Sequence, residues 1–237
     1  MTVLSASVDA GPGNVDRPAR GSVLIVEDHQ LLAQSLAFAL MAEGFAVTIA
    51  DLDSRDGVLE ALDRSGAGIV LLDLDLGGAV GDGLSLVEPL CERHARVLVV
   101  SGSTDRPRLA GCLEQGAFGV LPKSTPYERL VDAVVTVAAG RPVMPEAERH
   151  AMLAELRSWR TRQRRELAPF ETLTAREAQV LAALMDGQSC EAIAAAWFVS
   201  EATVRTQIRG VLTKLGVCSQ LAAAAQAQRV GWRPPPV

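Results

Sequence analysis

Gly68-Ile-Val-Leu-Leu-Asp73-Leu-Asp75-Leu-Gly-Gly78 runs from an aliphatic segment into an acid and then a double glycine. An apolar run of this length bounded by glycine predicts a strand buried on both faces. Asp73 then stands where the strand ends, the place at which open parallel sheets bind ligands. Aspartate at a strand end is also ordinary turn chemistry. The flanking sequence decides between a cap and a functional carboxylate.

Working outward, residues 23–26 form a first buried strand that ends in Glu27 and Asp28. Residues 31–43 carry Leu32, Leu36 and Leu40 at helical spacing, with Gly44 as the stop. A second strand at 46–50 and a helix at 54–64, capped by Ser54, complete the approach. Beyond Asp73, a helix is expected over 82–94, then a strand at 97–100 leading into Ser101. Residues 104–115 read as helix, 118–121 as a fifth strand with Lys123 two residues on, and 127–139 as a last helix. Five alternations of strand and helix predict a parallel sheet covered on both faces.

Glu27, Asp28, Asp73, Ser101 and Lys123 therefore fall at the same end of that sheet. Three crowded carboxylates each raise the cost of ionising the others unless a cation sits among them. A divalent ion with oxygen ligands, such as Mg²⁺, suits such a cluster. A lysine and a hydroxyl beside it supply the charge and the hydrogen-bond donor that a phosphoryl group needs.

The 237 residues suit one large or two small domains, and 49% hydrophobic content is enough for real cores. Residues 21–140 hold 17 Asp and Glu against 8 Lys and Arg, whereas 141–169 hold 7 basic against 4 acidic and 170–237 hold 6 against 5. An acidic front half joined to a mildly basic back half hints at a polyanion partner for the latter. Residues 1–20 read as a loose tail with no secretion signal, and no apolar run is long enough to cross a bilayer. Cys91, Cys112, Cys190 and Cys218 are far apart and form no CxxC pair, which fits free thiols in a reducing cytoplasm.

With these landmarks in place, residues 21–140 resemble the receiver domain of bacterial two-component response regulators, a flavodoxin-like doubly wound fold with five parallel strands in the order 2-1-3-4-5. The resemblance implies that Asp73 accepts a phosphoryl group from a phosphohistidine of a histidine kinase. It implies that the side chains of Glu27, Asp28 and Asp73 hold Mg²⁺ with the backbone carbonyl of Asp75. Ser101 would be the switch hydroxyl and Lys123 the charge partner. Val120 stands where the family usually has an aromatic switch residue, Gly77-Gly78 where Pro-Gly is common, and Pro122 precedes Lys123. The first departure motivates an alternative reading, a receiver that regulates without phosphate. Asp73-Leu-Asp75 also resembles the DxD of aspartate-based phosphatases, but that family needs the motif on its first strand.

Residues 141–169 form a connector: a Gly/Pro break, then a helix from 146 to 167 ended by Ala168-Pro169. Met152, Leu156 and Trp159 share one side of it, and five arginines crowd its second half. The expected role is a linker helix whose apolar stripe docks on a neighbouring domain, rather than a phosphate-contacting arm or dimer helix. In residues 170–237, Thr174 and Glu177 form a capping box. A short helix from Ser189 faces Ile193, Ala194 and Trp197 inward, and Ser200 caps a longer one over 201–215. Short helix, tight turn, longer helix is the helix-turn-helix plan. The exposed face of the longer helix shows Thr203, Arg205, Thr206, Arg209 and Lys214, with no acid after Glu201.

Residues 171–232 resemble the LuxR-type DNA-binding domain, on Leu-Thr-Ala-Arg-Glu-Ala-Gln-Val-Leu (173–181) and Ser-Glu-Ala-Thr-Val-Arg-Thr-Gln-Ile (200–208). Its order behind a receiver marks the NarL/FixJ family. The resemblance implies that Arg205, Thr206 and Arg209 meet base edges or nearby phosphates in the major groove of double-stranded DNA, while Thr203 and Lys214 hold the backbone. Gln207, Ala192 and Gln220 depart from common family residues. The reading is an α/β receiver, a helical linker and a four-helix LuxR-type domain. Together they imply a cytoplasmic transcription regulator, not an enzyme, that is switched at Asp73 and pairs as a homodimer when phosphorylated.

Overall fold

The computed structural model describes residues 20–234. The tail expected over 1–20 lies, Arg20 aside, outside the described residues. The chain divides into two compact units, with the boundary between Leu156 and Arg157.

The first unit runs β1 (Ser22–Val26), α1 (Gln30–Ala42), β2 (Ala46–Ile49), α2 (Arg55–Ser65), β3 (Ile69–Leu72), β4 (Asp75–Gly77), β5 (Gly81–Asp82), α3 (Leu84–Glu92), β6 (Arg96–Ser101), α4 (Arg106–Glu114), β7 (Gly119–Pro122) and α5 (Tyr127–Ala138). Five strands form one sheet in the order β2-β1-β3-β6-β7, every neighbouring pair parallel. Strand alternation sorts the aliphatic runs onto its two faces. Leu24, Val26, Val70, Leu72, Val97 and Val99 pack with residues of α2, α3 and α4, including Val58, Leu62, Leu90 and Leu113. Val23, Ile25, Ile69, Leu71, Leu98 and Val100 pack with α1 and α5 through Leu36, Leu40, Leu130 and Val134. Each such burial contributes about 2 kcal/mol, so both faces must be covered. The strand order reverses beside β1, which opens a crevice at the carboxyl ends of β1 and β3.

Two helices start later than the sequence suggests. The helix expected from residue 104 begins as α4 at Arg106, capped by Asp105, whose carboxylate accepts the Arg108 N–H at 3.3 Å. Asp82 does not open α3, because it pairs with Asp75 in a two-stranded antiparallel ribbon, β4–β5, inserted after Asp73.

The connector helix α6 spans Glu146–Glu171. Met152 and Leu156, in its first half, are buried in the core on the α4 side, while Trp159 is 38% exposed. Arg149 adds hydrogen bonds to the carbonyls of Ala117 at 2.9 Å and Leu113 at 3.0 Å. The expected stop at Ala168-Pro169 is corrected: the helix continues to Glu171 with Pro169 inside its last turn. A proline near a helix end removes only one donor, and buried Phe170, stacked on Trp232 with ring centroids 5.6 Å apart, holds the turn that follows.

The second unit contains α7 (Ala175–Met185), α8 (Cys190–Ala196), α9 (Glu201–Leu215) and α10 (Gln220–Arg229). Thr174 and Glu177 form the expected capping box, and Ser189, Ser200 and Ser219 each accept the backbone N–H three residues on. Val180, Ile193, Ala194, Val204 and Ile208 form one core cluster, and Leu181, Val211, Leu215 and Ala223 belong to another. Trp197 is only half-buried, its ring covered by the Arg176 guanidinium 3.7 Å from the centroid.

Candidate functional site

Each polar residue expected at the carboxyl edge reaches it because its strand stops there. Asp73 follows β3, the third strand, and its backbone N–H still donates to the Val26 carbonyl at 2.9 Å. The side chain is therefore carried into the crevice while the backbone stays in the sheet. Asp73 and Ser101 are almost wholly buried, at 2% and 1% exposure, and Glu27 is buried beside them. Gly83 closes the loop over the site: a Cβ there would lie 2.2 Å from the Asp73 carbonyl oxygen, so no larger residue fits without displacing the acceptor backbone.

Lys123, entering from the end of β7, joins the acids. Its Nζ donates to Glu27 Oε1 and to Asp73 Oδ2, both at 2.8 Å. Burial pushes the Lys123 ammonium down, but the hydrogen bonds and charges of Asp73 and Glu27 outweigh it and hold its pKa above the usual lysine value. One cation thus bridges two buried carboxylates, which in low dielectric would otherwise repel strongly. The other Asp73 oxygen, Oδ1, accepts the Leu74 N–H at 2.7 Å. Ser101 Oγ accepts the Ser103 N–H at 3.1 Å, which leaves its own proton for a further acceptor.

Asp28 adjoins the group on its half-exposed side. Ligand atoms of Glu27, Asp28, His29 and Asp73 all lie within 4.8 Å of one another. The sequence reading omitted His29. Its Nδ1 is 3.1 Å from Glu27 Oε1 and 2.7 Å from Asp28 Oδ1, and these two carboxylates hold its pKa above the usual histidine value. The signal available was its place directly after the acid pair, as the residue before α1. An open cleft of about 590 Å³ lies alongside, lined by Glu27, Asp28, Asp51, Leu76 and Gly78 among others. Carboxylate oxygens with solvent access form a hard donor set of the kind divalent cations take. Asp75 stands apart from this cluster by its side chain, which pairs with Arg108 at 2.7 Å.

The candidate DNA-reading residues lie on α9. Thr203, Arg205, Thr206 and Arg209 are exposed. Thr203 Oγ1 shares a 2.9 Å hydrogen bond with the Ser200 cap, and Thr206 Oγ1 donates to the Ala202 carbonyl at 2.9 Å. Arg205 pairs with Glu201 one turn earlier at 2.9 Å. Lys214 turns inward. Its amine donates to Glu177 Oε2 at 2.6 Å and to the Thr172 carbonyl at 2.8 Å. Burial pushes the Glu177 carboxyl up, but Lys214 and the Thr174 cap pull it below the usual glutamate value. Gly210 permits this arrangement, since a Cβ there would come 2.3 Å from Glu177 Oε1.

A sheet whose carboxyl edge gathers two buried acids, a bridging lysine and a buried serine, followed by a helix-turn-helix unit, defines a receiver protein with a DNA-binding output. Residues 23–135 match the response regulator receiver domain, and residues 171–227 match the luxR family of bacterial regulatory proteins. A relative from Mycobacterium tuberculosis (strain H37Rv) bearing the name "Probable transcriptional regulatory protein NarL" is 30% identical over 213 residues, covering 90% of this chain and 96% of the relative. The nitrate/nitrite response regulator protein NarP of Escherichia coli (strain K12) is 30% identical over 203 residues, covering 85% and 91% respectively. Among solved structures, the response regulator ChrA of a heme-sensing two-component system is 28% identical with a TM-score of 0.44, over 88% of this chain and 98% of ChrA. The chain belongs to the NarL/FixJ family of response regulators: a receiver domain followed by a LuxR-type DNA-binding domain, acting in transcription regulation.

Proposed function

We propose that Asp73 is the phospho-acceptor of this regulator and that its modification controls DNA binding by α9. The observation that carries this reading is the Lys123 bridge between Glu27 Oε1 and Asp73 Oδ2, at the carboxyl edge and beside an open acidic cleft. An oxygen of Asp73 forms a bond to phosphorus as the bond between phosphorus and the imidazole nitrogen of a histidine kinase's phosphohistidine breaks. The electron pair stays on that nitrogen. Lys123 can then turn from the carboxylate to a phosphoryl oxygen, and Ser101 can donate its hydroxyl proton to another. Glu27, Asp28 and Asp73 side chains, with the Asp75 carbonyl, suit Mg²⁺, which when bound would neutralise charge on the transferring oxygens.

The domain division that serves this function is a tail over 1–20, a phospho-acceptor domain over 21–140, a linker over 141–169 and the DNA-binding domain over 170–237, in a cytoplasmic protein. Phosphoaspartate brings about two negative charges. Drawing Ser101 and Lys123 onto them alters the α4 and α5 surface and frees a homodimer to place two copies of α9 on half-sites about one helical turn apart. Arg205, Thr206 and Arg209 face the bases and Thr203 supports a backbone contact, while Lys214 would reach the backbone only by leaving Glu177. The test is binding of the full chain to its own upstream DNA, with and without acetyl phosphate and Mg²⁺. Binding that tightens on phosphodonor treatment, and fails to tighten in Asp73→Asn, is the expected result. Equal tightening in Asp73→Asn rules the reading out.

A further inference from the structure

The segment after Asp73 is a poor holder for a metal ligand by its own sequence. Gly77, Gly78 and Gly81 take positive φ values of 58°, 50° and 73°, and glycine loses the most conformational freedom on ordering. Moreover, β4 and β5 set Asp75 directly opposite Asp82, and like charges facing across a strand pair push it apart. Arg108, in α4, resolves both problems. Its Nη1 donates to Asp75 Oδ1 at 2.7 Å, and its Nη2 donates to Asp82 Oδ1 and to the Leu74 carbonyl, both at 2.8 Å. The Leu74 carbonyl also accepts the Gly83 N–H at 2.8 Å, so one guanidinium fixes both ends of the ribbon. Its buried Nε has no hydrogen-bond partner among the described residues. An unpaired buried donor is unfavourable, so the side chain is oriented by the ribbon rather than by its own best satisfaction. Burial disfavours the charge, but Asp82 and Asp75 outweigh it and keep the guanidinium ionised.

We infer that Arg108 is a positioning residue for phosphoryl transfer: it locks Leu74, Asp75 and Asp82 into the conformation in which the Asp75 backbone carbonyl can serve the metal beside Asp73. This rests on the acceptor-site reading above. The guanidinium bonds to Asp75, Leu74 and Asp82 rather than to the Glu27, Asp28 and Asp73 side chains. Its loss therefore changes how much metal is needed, not the rate once metal saturates. Partners that orient a metal's ligands typically change affinity ten- to a hundred-fold.

The experiment is a Mn²⁺ titration of the full chain followed by the free-ion electron paramagnetic resonance signal, paired with acetyl phosphate labelling across a range of Mg²⁺. For Arg108→Met, Mn²⁺ affinity should fall roughly ten-fold, and half-saturating Mg²⁺ should rise by the same factor. Labelling at saturating Mg²⁺ should be unchanged. If Arg108→Met does not fold by circular dichroism, Asp82→Asn removes one of the arginine's charged partners while still capping the Leu84 N–H. It should weaken Mn²⁺ binding in the same direction but by less than Arg108→Met does. Wild-type uptake of Mn²⁺ with unchanged affinity in the variant overturns the role of Arg108 and leaves the acceptor site standing. Reduced labelling at saturating Mg²⁺ with unchanged half-saturation overturns it too. A wild-type chain that takes up no Mn²⁺ overturns the metal-assisted site itself, and this inference with it.

Discussion

The two units of this protein each contain a lysine bonded to a buried glutamate, and the two pairs have opposite character. In the first, Lys123 lies 2.8 Å from Glu27 and from Asp73, beside an open cleft. Its contacts are shared between two acids, and an incoming anion or cation can compete for each of them. In the second, Lys214 lies 2.6 Å from Glu177, whose Oε2 also accepts the Thr174 N–H at 2.7 Å, while Gly210 lets the helices close around it. Both of these hydrogen bonds to Oε2 come from within the domain. The two pairs differ in their partners rather than in exposure, the Lys214 and Lys123 side chains being 32% and 20% exposed: one lysine is shared between two acids beside a cleft, and the other ties α9 to the α7 cap.

That contrast can be broken in order of expected effect. Lys123→Met should slow acetyl phosphate labelling of Asp73 about a hundred-fold, because it removes a preorganised cation from the transferring oxygens; labelling within a few-fold of wild type would place Lys123 outside the chemistry. Glu177→Gln should leave labelling untouched but destabilise the DNA-binding unit by about 2 kcal/mol in denaturant unfolding, the scale of a charged hydrogen bond. The Glu177 carboxyl is depressed in the folded state, so its contribution is present above the ordinary glutamate value of 4.5 and fades as pH falls below it. The difference between wild type and variant should therefore shrink on acidification. Arg209→Ala should have the smallest effect, a loss of about 1 kcal/mol in discrimination between sites or a salt slope lower by about one. Measuring binding against salt concentration separates the two.

The strand ends were readable because aliphatic runs broken by polar residues leave few alternatives: acids at Glu27, Asp28 and Asp73, a hydroxyl at Ser101 and, two residues past the last run, Lys123. The caps at Ser54, Thr174 and Ser200 followed from local chemistry. What escaped was either too short or too distant. The β4–β5 ribbon, apart from Leu76, is made of glycines and acids that carry little strand propensity. Arg108 meets Asp75 across 33 positions, so no local pattern announces it. Lys214 has the spacing of an exposed helix cation, and only the fold reveals that its amine finds Glu177. Pro169 looked like a stop because the later contact between Phe170 and Trp232 lies outside any local window.

The central claim is tested most directly by locating the phosphate. After treatment of the full chain with acetyl phosphate and Mg²⁺, borohydride reduction and peptide mass spectrometry should place a reduced acyl phosphate on Asp73 alone. Modification of Asp28, Asp75 or a histidine instead, with Asp73 intact, would contradict the account.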